Sequence, residues 1–297
     1  MKNIYVLLLV SLIIGGCKKL EVASPLFDVQ TVKLTYKIND TVRFNISGNA
    51  GNILFYSGEQ GFTYANRTRL TADGTPQFSF NSTRGGGAQD NSLMVMVSTD
   101  LSVVDSSHVV HATWTDITGR SVLSTGTALG SGNIDLSDFK NNGQPVWLAF
   151  KYLGTKSATL AQRTWIIKSL LVNNILPDGT VAPIATIADA SWSSINIKNP
   201  AAIWVIPNTA TITQITINGG VANSDDNEDW LITRPLTLNK IAPDLSRSIQ
   251  NIGSDALTNY SYVYTKPGTY HVTFVGFNNS VDDQKSIIKE FDIVVTP

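Results

Sequence analysis

A two-residue rhythm of apolar side chains constrains this chain more than anything else in it. In "TVRFNISG", Val42, Phe44 and Ile46 fall on one face, with Thr41, Arg43 and Asn45 between them. "YHVTFVGF" repeats the pattern with Tyr270, Val272 and Phe274. Successive side chains of a strand point to opposite faces, so each run predicts a strand with one buried side. "NSLMVMVST", "PVWLAFKY", "RTWIIKSLLV", "AAIWVIP", "ATITQITING" and "FDIVVTP" are further β-branched or aromatic runs bounded by Gly, Pro, Asn or Asp. No run sustains three helical turns. "DLSDFKNNG" holds at most one short turn, capped by Asp135 or Ser137. The expected fold class is all-β, built of β-sandwiches.

The rhythm also poses a closure problem. "YTKPGTYHVTFVGFNNS" (264–280), followed by "KEFDIVVTP", reads as the closing strands of a small sandwich, with Pro267-Gly268 as a turn. The matching opening strands lie far upstream, in "FDVQTVKLTYKINDTVRFNISGNAGNILFYSGEQG" from Phe27 to Gly61. Half a sandwich exposes unpaired edges and an apolar face. The two halves are therefore expected to close on each other, with a second domain inserted between them. Such an insertion is cheap, because loop-closure entropy grows slowly with length. The expected division is a first half at 26–62, an inserted β domain at 63–238 and a second half at 239–297. Two separate incomplete sandwiches are the alternative.

The N-terminus carries a different signal. Lys2 is followed by "IYVLLLVSLIIGG", too short for a comfortable membrane span but suited to a secretory leader at 1–16. Ile14-Gly15-Gly16-Cys17 resembles a lipobox, where cleavage precedes a cysteine whose thiol takes a lipid. Cys17 is the only cysteine, so it forms no disulfide within the chain. The resemblance implies lipid attachment at Cys17, a tether at 17–25 and an outer-membrane, surface-facing location. Lys18, Lys19 and Glu21 partly resemble a surface-export tag.

Three larger resemblances follow from quoted motifs. The first and last segments resemble a PKD-like, immunoglobulin-type sandwich. "WTDIT", "IDLSDF", "VWLAFKY" and "TWII" resemble jelly-roll adhesin modules similar to galactose-binding-like sandwiches. In those modules a "DWLISP" strand opens the domain, whereas here "DWLITRPLTL" (Asp229 to Leu238) follows the rest. "IADASWSSINIKNPAAIWVIPNTATITQITINGG" has no template and reads as an extra sheet or a protruding ribbon. Across most of its length, through "FYSGEQG", "WTDIT", "IDLSDF", "AFKY" and "EDWLI", the chain resembles an uncharacterised family of Bacteroidota surface lipoproteins. That resemblance implies non-catalytic glycan binding as an accessory to a nutrient-uptake system. A structural or adhesion role towards a protein partner, such as an outer-membrane transport protein, is the second reading, and a glycoside hydrolase the third.

The composition narrows the chemistry. Charged residues make up 15% with a net charge of −1, which lacks the basic footprint of a nucleic-acid binder, and 42% hydrophobic content suffices for a core. The chain has three histidines. His108 and His111 in "SSHVVHAT" are expected on an extended or loop segment, facing opposite ways; His271 is expected to face outward. No G-x-S-x-G elbow occurs, and Gly85-Gly86-Gly87 lacks the residues of a phosphate loop and reads as a flexible surface loop. The chain is therefore not expected to be an enzyme, and no cofactor is expected beyond a structural calcium ion. Candidate calcium ligands are Asp225, Asp226 and Glu228, with Asp229 beside them; a solvated acidic loop is the other reading. Asp100, Asp105 and Asp116 form a weaker set. Sugars stack on exposed aromatic rings. Of six tryptophans, Trp147, Trp165 and Trp230 read as core, Trp114 ends a strand, and Trp192 and Trp204 are the candidates for an exposed ligand platform, against core packing. Glu59 in "FYSGEQG" is expected at the junction to the insert, paired with an arginine.

Overall fold

The computed structural model describes residues 21–140, 143–209 and 211–297. It is all-β, and the chain divides into two units. One comprises the chain up to Arg69 together with Pro243–Pro297; the other is the insert, Leu70–Ala242.

The first unit closes strands from both ends of the sequence. Strand β1 (Phe27–Thr31) pairs with β3 (Thr41–Gly48), and β3 pairs with β18 (Asn259–Val263), all antiparallel. Facing them is a five-stranded sheet in the order β17 (Arg247–Gln250), β4 (Asn52–Tyr56), β19 (Gly268–Asn279), β20 (Gln284–Thr296) and β2 (Thr35–Lys37). Only β2 runs parallel to its neighbour. The alternation explains the pairing: Val42, Phe44 and Ile46 are buried, as are Val272 and Phe274 opposite. Phe44, Phe55 and Phe274 meet with ring centroids 4.9–6.1 Å apart, and Tyr260 and Tyr262 pack on Phe55 at 4.8 and 5.1 Å. Such tilted and edge contacts add to the area term of a core.

Glycines mark the sharp points of this unit. Gly58 holds φ +78°, and a Cβ there would lie 2.7 Å from the His271 backbone nitrogen. That close approach explains the glycine of "FYSG". The neighbouring Glu59 is held by neutral donors, Ser57 Oγ and Tyr262 Oη, and not by an arginine as expected. Arg69 instead pairs with the buried Asp244 at 3.0 Å, and Arg67 lies over the Tyr64 ring.

The insert is a second two-sheet sandwich. One sheet runs β13 (Ser193–Lys198), β16 (Asn227–Ile232), β10 (Trp147–Gly154), β6 (Leu93–Ser98) and β7 (Thr115–Asp116). The other runs β14 (Trp204–Val205), β15 (Gln214–Ile217), β11 (Thr164–Ile175), β5 (Thr75–Gly85) and β8 (Leu129–Gly130), with β12 (Val181–Thr186) also on β11 and β9 (Ile134–Asp135) also on β5. Between them lies a core that includes Phe78, Phe80, Phe150, Tyr152 and Leu231. The segment without a template supplies edge strands to both sheets: β13 pairs with β16, and β14 with β15. It is neither an extra sheet nor a protruding ribbon.

"SSHVVH" forms helix α1 (Ser106–His111) and not an extended segment. The cause is local, since the Asp105 side chain accepts from the His108 backbone N–H at the N-cap. His108 Nδ1 then meets Asp105 at 2.8 Å, and His111 Nδ1 meets the Ser107 carbonyl at 2.7 Å. "DLSDF" is a short 3-10 turn, with Asp135 Oδ1 accepting from the Ser137 N–H.

Candidate functional site

A cleft of about 360 Å3 opens at one end of the insert sandwich. Arg84 comes from the end of β5, Leu93 and Met94 from the start of β6, and Asp116 from β7; Asn91, Ser92, Thr118 and Leu123–Thr125 come from the loops, with Trp165 of β11 as an inner wall. Trp165 is buried, and its indole N–H donates to Ser92 Oγ at 2.9 Å. That bond satisfies the one polar atom of the ring and fixes the wall.

The rim is held as firmly. Ser124 accepts from the Gly126 N–H at 3.0 Å, its hydroxyl donates to the Thr127 carbonyl at 2.6 Å, and its own N–H donates to Ser82 Oγ at 3.0 Å. Arg163 donates to the carbonyls of Gly86, Gly87 and Gln89. The glycine run therefore leads from the end of β5 into a turn that Arg163 holds by hydrogen bonds. Arg84 donates through Nη2 to the Thr125 carbonyl at 3.1 Å and through Nη1 to Asp90 at 3.3 Å, while its Nε is buried without a partner. Asp116 accepts from the Thr118 N–H at 2.8 Å, which leaves acceptor capacity on the carboxylate. A guanidinium, a carboxylate, an amide and several hydroxyls around one cleft are donors and acceptors suited to a polyhydroxyl ligand.

Beside the cleft lies an aromatic surface, on the side of the β13–β16–β10–β6–β7 sheet that faces away from the core. Met94, Lys151, Trp230 and Ile195 are successive cross-strand partners on this face. Trp114 packs on Trp230 at 4.8 Å and donates its indole N–H to the Val109 carbonyl. Lys151 Nζ sits 4.8 Å from the Trp230 ring centre and 3.0 Å from Glu228, which also accepts from the Trp230 indole N–H. Leu101 and Val109 of α1 and its preceding loop cover part of this face; Met94, Trp114, Trp147, Ile195 and Ile197 remain half-buried. Met94 also lines the cleft, so the two features adjoin.

The expected site residues fare differently. Cys17 lies outside the described residues. Trp192 and Trp204 are not a platform: they are 9% and 1% exposed within the insert core. Trp192 donates to the Ile187 carbonyl and lies 6.2 Å from Phe150; Trp204 is fixed by β14 pairing opposite Ile217. As edge strands of a closed sandwich, β13 and β14 turn their neighbouring rings inward. The tryptophans left half-buried are instead Trp114 and Trp147, expected from the sequence as a strand end and as core.

The acidic run does not converge. Lys156 Nζ meets Asp225 at 2.8 Å, the Lys156 backbone N–H donates to Asp226 at 2.7 Å, and Glu228 turns to Lys151. The Lys156 pair holds the Asp225 carboxyl below its usual range. Asp229 points the other way and is buried; desolvation raises its carboxyl to about 6, against the bonds from Asn196 and Asn227. Asp100 accepts from Ser98 and the Thr113 N–H, Asp105 caps α1, and Asp116 is at the cleft. Among the described residues, no group of three or more His, Cys, Asp or Glu side chains is placed to hold a metal ion. Each carboxylate of the proposed calcium set is committed to a separate donor.

No curated protein matches the chain. Among solved structures, the crystal structure of red sea bream transglutaminase aligns at 8% identity and a TM-score of 0.09, covering 93% of this chain and 32% of that one. No helix among the described residues is long and apolar enough to cross a membrane. The matched family model takes in residues 16–192, more than half of the sequence, and on that match the chain belongs to the family described as a domain of unknown function (DUF5017).

Proposed function

We propose that the protein is a lipid-anchored outer-membrane protein that binds glycans without cleaving them, as an accessory to nutrient uptake. The observation that carries the reading is the polar cleft at Arg84, Asn91 and Asp116, adjoining a sheet face that bears Trp114 and Trp147. Hydroxyls of a sugar need fixed donors and acceptors, and its C–H faces need aromatic surface; the insert offers both in continuity. Glycoside cleavage uses two carboxyl groups across the scissile bond. Asp116 is the sole carboxylate among the residues lining the cleft, which favours capture over cleavage.

The test is binding of the chain, purified without lipid, to a broad glycan array. The expected result is a hit that weakens by tenfold or more, about 1.4 kcal/mol, in Arg84→Ala and in Trp114→Ala. Released sugar in the same samples would overturn the non-catalytic part. A second reading, binding to an outer-membrane transport protein, is favoured by the half-buried apolar residues Met94, Ile195 and Ile197 beside the tryptophans. A blank array, with transporter binding lost in Ile197→Asp, would replace the first reading with the second.

A further inference from the structure

One end of the interrupted sandwich gathers four chain segments. They are the stretch leading into β1 (21–26), the turn between β3 and β4 (49–51), the loop after β17 (251–258) and the β19–β20 hairpin tip (280–283). Hydrogen bonds tie the first two to each other and to the end of β19. Asn278 donates to the Ala23 carbonyl at 3.1 Å and accepts from the Gly51 N–H at 2.7 Å; Leu26 donates to Asn49 at 2.7 Å. Ile252 lies against Gly51. Three apolar side chains project from this end: Leu26 is 73% exposed, Ile252 80% and Val281 100%.

Exposure alone does not single this end out, because Val32 is also 80% exposed and lies beyond the opposite end of β1. Chain length does. Ala23 is fixed to Asn278, and Cys17 lies only six residue steps before it. Fully extended, they span about 20 Å. Strand β3, with eight residues, by itself spans about 25 Å along the sandwich. A lipid on Cys17 therefore holds the Ala23 end near the bilayer, while the Val32 end is a full strand length further off.

We propose that the end bearing Leu26, Ile252 and Val281 rests on the membrane, with these side chains entering the interface between headgroups and acyl chains. The inference depends on the lipid anchoring at Cys17 proposed above. Each buried apolar side chain adds to the attachment, and a second contact beside an acyl anchor turns a loose tether into an oriented one. The tip carries Asp282 and Asp283, with Asp255 in the adjoining loop, so the surface that suits it is zwitterionic.

The test uses the full mature chain, lipidated on Cys17 and reconstituted on phosphatidylcholine vesicles. The acylated thiol is blocked, so Val281→Cys and Val32→Cys each offer one site for an environment-sensitive fluorophore. The two are matched as exposed valines at opposite ends of the unit. Lipids brominated along the acyl chain are expected to quench the probe at 281 several-fold more than the probe at 32. Equal quenching, or more at 32, with the chain still floating on the vesicles, would overturn the orientation and leave the anchor standing. A chain that does not float would overturn the anchor and the orientation together.

Discussion

The two units differ in which aromatic residues they use and where they pack them. The interrupted sandwich has no tryptophan; Phe44, Phe55 and Phe274 meet in its core, Tyr260, Tyr262, Tyr270 and Phe291 pack half-buried against them, and His271 lies outside between Asp292 and Glu290. All six tryptophans lie in the insert, and Trp114 and Trp147 sit half-buried on the side of a sheet that faces away from the core. The contrast thus separates a unit with one aromatic core from a unit that carries a second aromatic cluster outside its core.

The largest expected effect falls on the interrupted sandwich. Phe274 is fully buried against Phe44 and Phe55, and Phe274→Ala is expected to cost about 3–5 kcal/mol. Urea denaturation followed by tyrosine near-UV dichroism reads this unit, and tryptophan fluorescence reads the insert. A loss below about 1 kcal/mol would show that the packed rings do not carry the closure.

Next comes a difference in pH response. The fold disfavours the ionised form of Asp229, so its cost to the insert is present above about pH 6 and is relieved as pH falls toward the unfolded value of 3.8. Tryptophan-detected stability is expected to rise by up to about 3 kcal/mol over that window, and Asp229→Asn should flatten the rise. In the other unit, Asp292 and Glu290 raise the His271 imidazole above 6.5. Its stabilising effect is complete below pH 6.5 and is lost as pH rises through the raised value. The side chain is half exposed, so the change is small. Tyrosine-detected melting, compared with His271→Ala between pH 6 and 8, checks it. Windows that coincide in the two units would break the comparison.

Smaller still is the exposed pair of Arg120 and Asp138 in the insert. Its bidentate geometry, with bonds of 2.8 and 2.6 Å, notwithstanding, Asp138→Ala is expected to cost no more than about 1 kcal/mol by thermal melting, because both groups remain in water.

Much of the fold was legible because it is written in local alternation. Val42, Phe44 and Ile46 declared a buried face, and Val272 and Phe274 declared its complement. What stayed hidden depends on distant partners. The inward turn of Trp192 and Trp204 follows from edge strands pairing with β16 and β15, which nothing in "ADASWSSIN" or "NPAAIW" reveals. The cleft draws on β5, β6, β7, β11 and two loops, so "WTDIT" supplies Asp116 and Thr118 but not the distant residues that complete it. Helix α1 does carry a local signal, the N-cap Asp105 ahead of "SSHVVH", but six residues are too few to show a helical period.

The insertion has a consequence for proteolysis. A module strung in tandem is shed by one cut in its linker. Here the chain crosses between units twice, near Arg69 and near Pro243, and the strands before and after those crossings, β4 and β17, are themselves paired. A single nick in either crossing leaves the insert covalently attached through the other, and the severed strand remains hydrogen-bonded to its neighbour. Release takes two cuts.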